Sequence, residues 1–144
     1  MDVSYILDDL NDAQRQAVTS ESKKLLVLAG AGSGKTKVLV HRIAWLIKAL
    51  SSSTHSILSV TFTNKAANEM TGRIEQILDQ PIPEMWCGTF HSISNRLLRR
   101  HYKEAGLEKD FSILDSDDQL RVIKRNLKEL DLSLIHISEP TRQS

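Results

Sequence analysis

Cysteine is almost missing from this chain. Cys87 is the only one in 144 residues, which excludes an intrachain disulfide and fits a reducing compartment. It sits in the apolar stretch Met85-Trp86-Cys87 and is expected to be a small core residue rather than a nucleophile. An excess of one charge is missing as well. Lys and Arg number 19 against 18 Asp and Glu, a formal net charge of +1, so composition alone makes no electrostatic case for nucleic acid. No apolar run approaches the roughly 18 residues that span a bilayer, and Met1-Asp2-Val3-Ser4-Tyr5 has no basic region followed by an apolar one. These absences point to a cytoplasmic chain with no membrane partner. No internal repeat is present.

Glycine, by contrast, is concentrated. Three of the six glycines lie between Gly30 and Gly34, directly after Leu25-Leu26-Val27-Leu28 and before Lys35-Thr36. The run Ala29-Gly30-Ala31-Gly32-Ser33-Gly34-Lys35-Thr36 is how a chain builds a phosphate cradle. The glycines let successive backbone N–H groups turn inward as an anion nest, and a helix starting at about Gly34 adds its positive dipole end. Lys35 would reach the β- and γ-phosphates of ATP or GTP, and the Thr36 hydroxyl would ligate Mg²⁺. These two are the candidate catalytic residues. Ala29 stands where the strict pattern has glycine. The rival is an ordinary Gly-rich turn, but strand, loop, Lys-Thr and amphipathic helix occur in the order a cradle requires.

Helix and strand patterns alternate, which predicts an α/β fold with a parallel sheet flanked by helices. Strands are expected at Leu25 to Leu28, Ile57 to Phe62 and Met85 to Cys87, each a short apolar run of the kind buried on both faces. Between the first two, Leu39, Ile43, Leu46, Ile47 and Leu50 repeat at helical spacing, with His41, Arg42 and Lys48 on the polar side. Further helices are expected from Lys65 to Leu78, before Pro81-Ile82-Pro83, and from His91 to Ala105, before Gly106. Phe111-Ser112-Ile113-Leu114-Asp115 could pass for a strand ending in a Mg²⁺-binding Asp-Glu pair. Ser116 stands where the Glu should be, however, and the acidic residues precede a helical pattern of Leu120, Ile123, Leu127 and Leu130, so Asp115 is read as a helix cap.

Leu10-Asn11-Asp12-Ala13-Gln14-Arg15-Gln16 lies upstream of the cradle. Downstream come Thr61-Phe62-Thr63-Asn64-Lys65-Ala66-Ala67 and Gly88-Thr89-Phe90-His91-Ser92. In this order, the motifs resemble the N-terminal motifs of UvrD/Rep/PcrA-type superfamily 1 DNA helicases over roughly residues 1 to 131. The resemblance implies a RecA-like P-loop motor subdomain, truncated, in an ATP-dependent 3′-to-5′ helicase that acts on single-stranded DNA and duplex junctions in DNA unwinding and repair. It also implies that Gln14 reads adenine through its amide donor and acceptor. By itself, the Asn11 to Gln14 spacing favours a helix capping box. Residues Ala29 to Thr36 and Lys37 would line the nucleotide, Lys37 standing where many relatives carry Arg.

At the second motif the resemblance implies DNA contact. Phe62 would stack on bases, and Thr63, Asn64 and Lys65 would donate to phosphates; the alternative packs Phe62 in the core and makes Thr63 a cap. Thr89 and His91 would meet a phosphate at a helix start, against plain capping by Thr89. Arg96, Arg99, Arg100, His101 and Lys103 read as a solvated helix face.

The expected organisation is a motor portion at residues 1–90, the start of a helical DNA-binding insertion at 91–131, and a non-native tail at 132–144. Leu132 to Arg142 reads as a word-for-word translation of a transposase-type sequencing-library adaptor over eleven residues, so the tail is expected to be adaptor-derived. The family's catalytic Asp-Glu pair, arginine fingers and second RecA-like domain are expected C-terminal to this segment, so the fragment is expected to be inactive alone. Alternatives are a nuclease-linked superfamily 1 helicase subunit, another P-loop protein such as a small kinase, and a stand-alone DNA-binding module, whose surface should be more basic.

Overall fold

The computed structural model describes residues 2–32 and 34–131. Ser33 and the tail expected at 132–144 lie outside the described residues. Among those described, the order is a 3₁₀ turn Ser4–Ile6, α1 Asp12–Thr19, α2 Lys35–Lys48, a 3₁₀ turn Thr54–Ser56, β1 Leu58–Thr61, α3 Asn64–Leu78, β2 Trp86–Thr89, α4 Phe90–Arg100 and α5 Ser116–Glu129. The fold is mixed α/β, with a two-stranded parallel sheet and five helices. The chain divides into two units, Met1–His101 and Tyr102–Ser144. No described helix is long and apolar enough to cross a membrane.

β1 and β2 pair in parallel, from Leu58 opposite Trp86 to Thr61 opposite Thr89, with α3 as the crossover. α3 carries Ala67, Met70, Ile74 and Leu78 on its buried side at three- and four-residue spacing. The Thr63 hydroxyl starts it by accepting from the Ala66 N–H at 3.1 Å, and Asp79 ends it in the left-handed region at φ 51°. Opposite lies α2, and Val40, Ile43 and Ala44 join Ile6, Met70, Ile74, Leu78, Ile82 and Met85 in one core. Each fully buried aliphatic side chain there contributes about 1.5–3 kcal/mol by leaving water.

Three expectations change. Leu25 to Leu28 is not a strand, and Leu26 and Leu28 are 82% and 85% exposed. A strand needs a neighbour about 4.8 Å away to take its N–H and C=O groups, and no strand pairs with this segment among the described residues. On α2, His41 belongs to the buried side at 8% exposure, whereas Leu39, and Leu50 just beyond the helix end, are exposed. The 3₁₀ turn explains the inversion: His41 Nδ1 lies 2.6 Å from the Ile6 carbonyl oxygen, so a chain segment covers the face that periodicity assigned to solvent. Finally, α4 ends at Arg100 rather than Ala105, where His101 leaves helical geometry at φ −118°, ψ 34°.

In the second unit, Asp115 caps α5. Its Oδ1 accepts from the Asp118 N–H at 2.8 Å, and Asp117 and Asp118 occupy the first turn, where the helix dipole favours negative charge.

Candidate functional site

The glycine loop leads into α2 through Gly34, which takes the N-cap position at φ 80°, ψ 29° with no side-chain hydrogen bond across the cap. Gly32 is also left-handed, at φ 74°. The Gly34 carbonyl accepts from the Val38 N–H at 3.0 Å, which begins the helical ladder. The N–H groups of the preceding turn precede that ladder, and together with the dipole they suit an anion.

Gln14 faces this loop from α1. The capping box is formed in full: the Gln14 N–H donates to Asn11 Oδ1 at 2.9 Å, and the Asn11 N–H donates to Gln14 Oε1 at 3.2 Å. The cap also fixes the direction of Nε2, which would lie 2.9 Å from a Cβ on Gly34. Glycine is thus required at 34 by its backbone conformation, and a Cβ there would also push the Gln14 amide aside.

Gln14, Ala29 and Lys35 line one cleft of about 270 Å³ together with Asn11, Val27 and Val38. Lys35 and Thr36 also line a second cleft of about 510 Å³, whose far wall is Thr61, Phe62 and Thr63. Lys35 therefore stands between the Gln14 side and the strand-end side. Lys37 lines neither cleft; its ammonium donates to the Asp9 carbonyl at 2.5 Å and ties α2 to the N-terminal segment. Gly30, Ala31 and Gly32 are exposed, and Ala29 is half-buried.

Because β1 and β2 end in register, the next residue of each emerges at the same edge. Phe62 and Phe90 meet there, with ring centroids 6.1 Å apart and planes inclined at 55°. Phe62 is 92% exposed and Phe90 60%, so Phe62 does not pack in the core. Sequence reasoning overlooked Phe90. Its signal was that both motifs place phenylalanine directly after the last strand residue.

The hydroxyls beside these rings are caps. Thr63 caps α3, and Thr89 caps α4 by accepting from the Ser92 N–H at 3.2 Å. The Thr63 hydroxyl keeps its O–H proton to donate, whereas that of Thr89 already donates to Ser92 Oγ at 3.1 Å. Asn64, Lys65 and His91 are exposed. Gly88 makes room for a protein atom, since a Cβ there would lie 2.5 Å from Ser92 Oγ. The basic residues of α4 are not all freely solvated: Arg96 and Arg100 lie over the Trp86 ring.

Residues 10–142 match the UvrD/REP helicase N-terminal domain, and the chain belongs to that family. It is 59% identical over 132 residues to DNA helicase II of Escherichia coli, covering 92% of this chain and 18% of that protein. It is 58% identical to DNA helicase II of Haemophilus influenzae over 89% of this chain, and 50% identical to the ATP-dependent DNA helicase PcrA of Bacillus subtilis over 90% of it. In each case the chain spans 18% of the relative's length.

Proposed function

We propose that the chain is the nucleotide-binding front of an ATP-dependent 3′-to-5′ DNA helicase with a RecA-like motor layout. The observation that carries this reading is the position of Lys35, which lines both the cleft that holds Gln14 and the cleft it shares with Thr36 and the exposed Phe62. This position supports a triphosphate cradle on one side of Lys35 and a DNA-stacking surface on the other.

The loop N–H groups and the α2 dipole receive phosphate oxygens, Lys35 neutralises the β- and γ-phosphates, and Thr36 offers its hydroxyl to Mg²⁺. The Gln14 amide pairs with the N6 and N7 edge of adenine, held in orientation by the cap. Mg²⁺ supplies charge neutralisation across the phosphates when bound. On the other side, Phe62 and Phe90 stack on bases of a single strand while Thr63, Asn64, Lys65 and His91 donate to its backbone, and Thr89 does so by turning its hydroxyl away from Ser92 Oγ. Hydrolysis also requires a group that orients the attacking water. Glu69, the one carboxylate lining these clefts, is held by Arg73. Turnover is therefore not assigned to these residues alone, and the proposed role is binding.

Titration of a fluorescent ATP analogue and of a labelled oligo-dT into wild type, Lys35→Ala and Phe62→Ala separates the two sides. Lys35→Ala should lose nucleotide and keep DNA, and Phe62→Ala should do the reverse. Unchanged binding of both ligands by both variants would refute the reading.

A further inference from the structure

Trp86 opens β2, and α4 follows that strand directly. The Arg96 guanidinium carbon lies 4.4 Å from the Trp86 ring centroid and that of Arg100 lies 5.5 Å from it. One indole thus holds two guanidiniums that are four residues, or about 6 Å, apart along the helix. Stacking uses the flat face of a guanidinium and leaves its N–H edges directed outward.

Neither arginine has a carboxylate partner among the described residues, whereas Arg73, Arg121 and Arg125 pair with Glu69, Asp118 and Glu129. α4 itself, Phe90–Arg100, contains no Asp or Glu. Two neighbouring cations without counter-ions, fixed on a ring, constitute a preorganised anion site. Fixing them in advance removes part of the side-chain entropy that binding would otherwise cost.

We infer that Trp86, Arg96 and Arg100 form a clamp for successive phosphates of a DNA strand, separate from the phosphate cradle and from the Phe62 edge. The occupant follows from charge and continuity. A phosphodiester backbone offers anions at regular short intervals, and α4 starts at Phe90, where the proposed base-stacking edge lies. From there to Arg100 the helix runs about 15 Å, so a strand leaving the aromatic pair along α4 arrives at the clamp. The inference rests on the DNA reading above, and its test distinguishes the two.

The test measures binding of fluorescein-labelled oligo-dT to the 144-residue chain by anisotropy over a range of salt concentrations. Arg96→Gln/Arg100→Gln should weaken binding about ten-fold at low salt and flatten the slope of log K against log salt by about 1.4, the effect of two phosphate contacts on a single strand. Arg96→Lys/Arg100→Lys keeps the charges, so it should retain the slope while losing a few-fold in affinity with the stacking. Trp86→Leu should resemble the lysine variant, with melting curves confirming that it folds. Arg121→Gln/Arg125→Gln removes the same net charge from ion-paired positions and should leave the slope unchanged. If Arg96→Gln/Arg100→Gln binds DNA as wild type does while Phe62→Ala is impaired, the clamp is wrong and the aromatic edge stands. Loss of binding to a poly-glutamate peptide, with DNA binding intact, would overturn the clamp in favour of an acidic protein partner. If neither the clamp variant nor Phe62→Ala affects DNA binding, both readings fail.

Discussion

The amide nitrogen of Gln14 and the α-carbon of Gly34 are fitted to each other so closely that a Cβ on Gly34 would stand 2.9 Å from that nitrogen. Helix α1 and the start of α2 thereby meet closely at the mouth of the cleft. Gly34→Ala meets two obstacles, a left-handed backbone at φ 80° and the amide itself. It should lose about 1–2 kcal/mol of stability from the backbone alone, together with nucleotide affinity. Gln14→Ala in the same background should not restore the stability, because the backbone strain remains. Thermal melts of the three variants check this.

Capping and base recognition by Gln14 separate in Gln14→Glu. A glutamate at this position still accepts the Asn11 N–H and completes a capping box, but it offers no donor to adenine N7. Stability should stay within about 0.5 kcal/mol of wild type, while the preference for ATP over GTP disappears. Gln14→Ala should lose both the preference and about 0.5–1 kcal/mol. Paired melting and nucleotide titrations read the two effects independently.

Gly88 is a packing glycine. A methyl group there would sit 2.5 Å from Ser92 Oγ and 3.4 Å from Ile93 Cγ1. Gly88→Ala should cost about 1–3 kcal/mol by overpacking the junction of β2 and α4. Adding Ser92→Ala should recover most of that loss, and a double-mutant cycle in urea measures the coupling.

His41 fastens the N-terminal turn to α2. A carbonyl only accepts, so Nδ1 carries the proton in the 2.6 Å contact with Ile6 O. His41→Ala leaves that carbonyl unsatisfied and should cost about 1–3 kcal/mol. His41→Asn places a donor near the Nδ1 position and should recover part of it. Faster amide exchange at residues 4–7 in the alanine variant, restored in the asparagine variant, would show that the bond secures this turn.

Local signals were legible wherever the chemistry is completed within a few residues. The Asn11 and Gln14 box, the Thr63 and Thr89 caps and the acidic cap at Asp115 all stand as their spacing indicates. The apolar stripe of α3 was readable for the same reason, since it depends on one helix. What the sequence did not disclose depends on distant neighbours. Leu25 to Leu28 has the composition of a buried strand, but strand formation requires a second strand that pattern alone cannot supply. His41 looks polar on a helical wheel because the carbonyl that receives it belongs to Ile6, far away in the chain. The pairing of Phe90 with Phe62, and of Trp86 with Arg96 and Arg100, required the register of β1 and β2 and the return of α4.

The central claim is that residues 29–36, with Gln14, hold an adenine nucleotide through its phosphates and base. The most direct measurement is a titration of Mg-ATP into ¹⁵N-labelled chain, followed by amide chemical shifts. The account predicts the largest shifts at the amides of Gly30, Gly32 and Gly34 through Lys37, a shift of the Gln14 side-chain amide with ATP but not with GTP, and loss of the pattern in Lys35→Ala. Loop amides that stay in place at saturating Mg-ATP, or an identical pattern in Lys35→Ala, would contradict it.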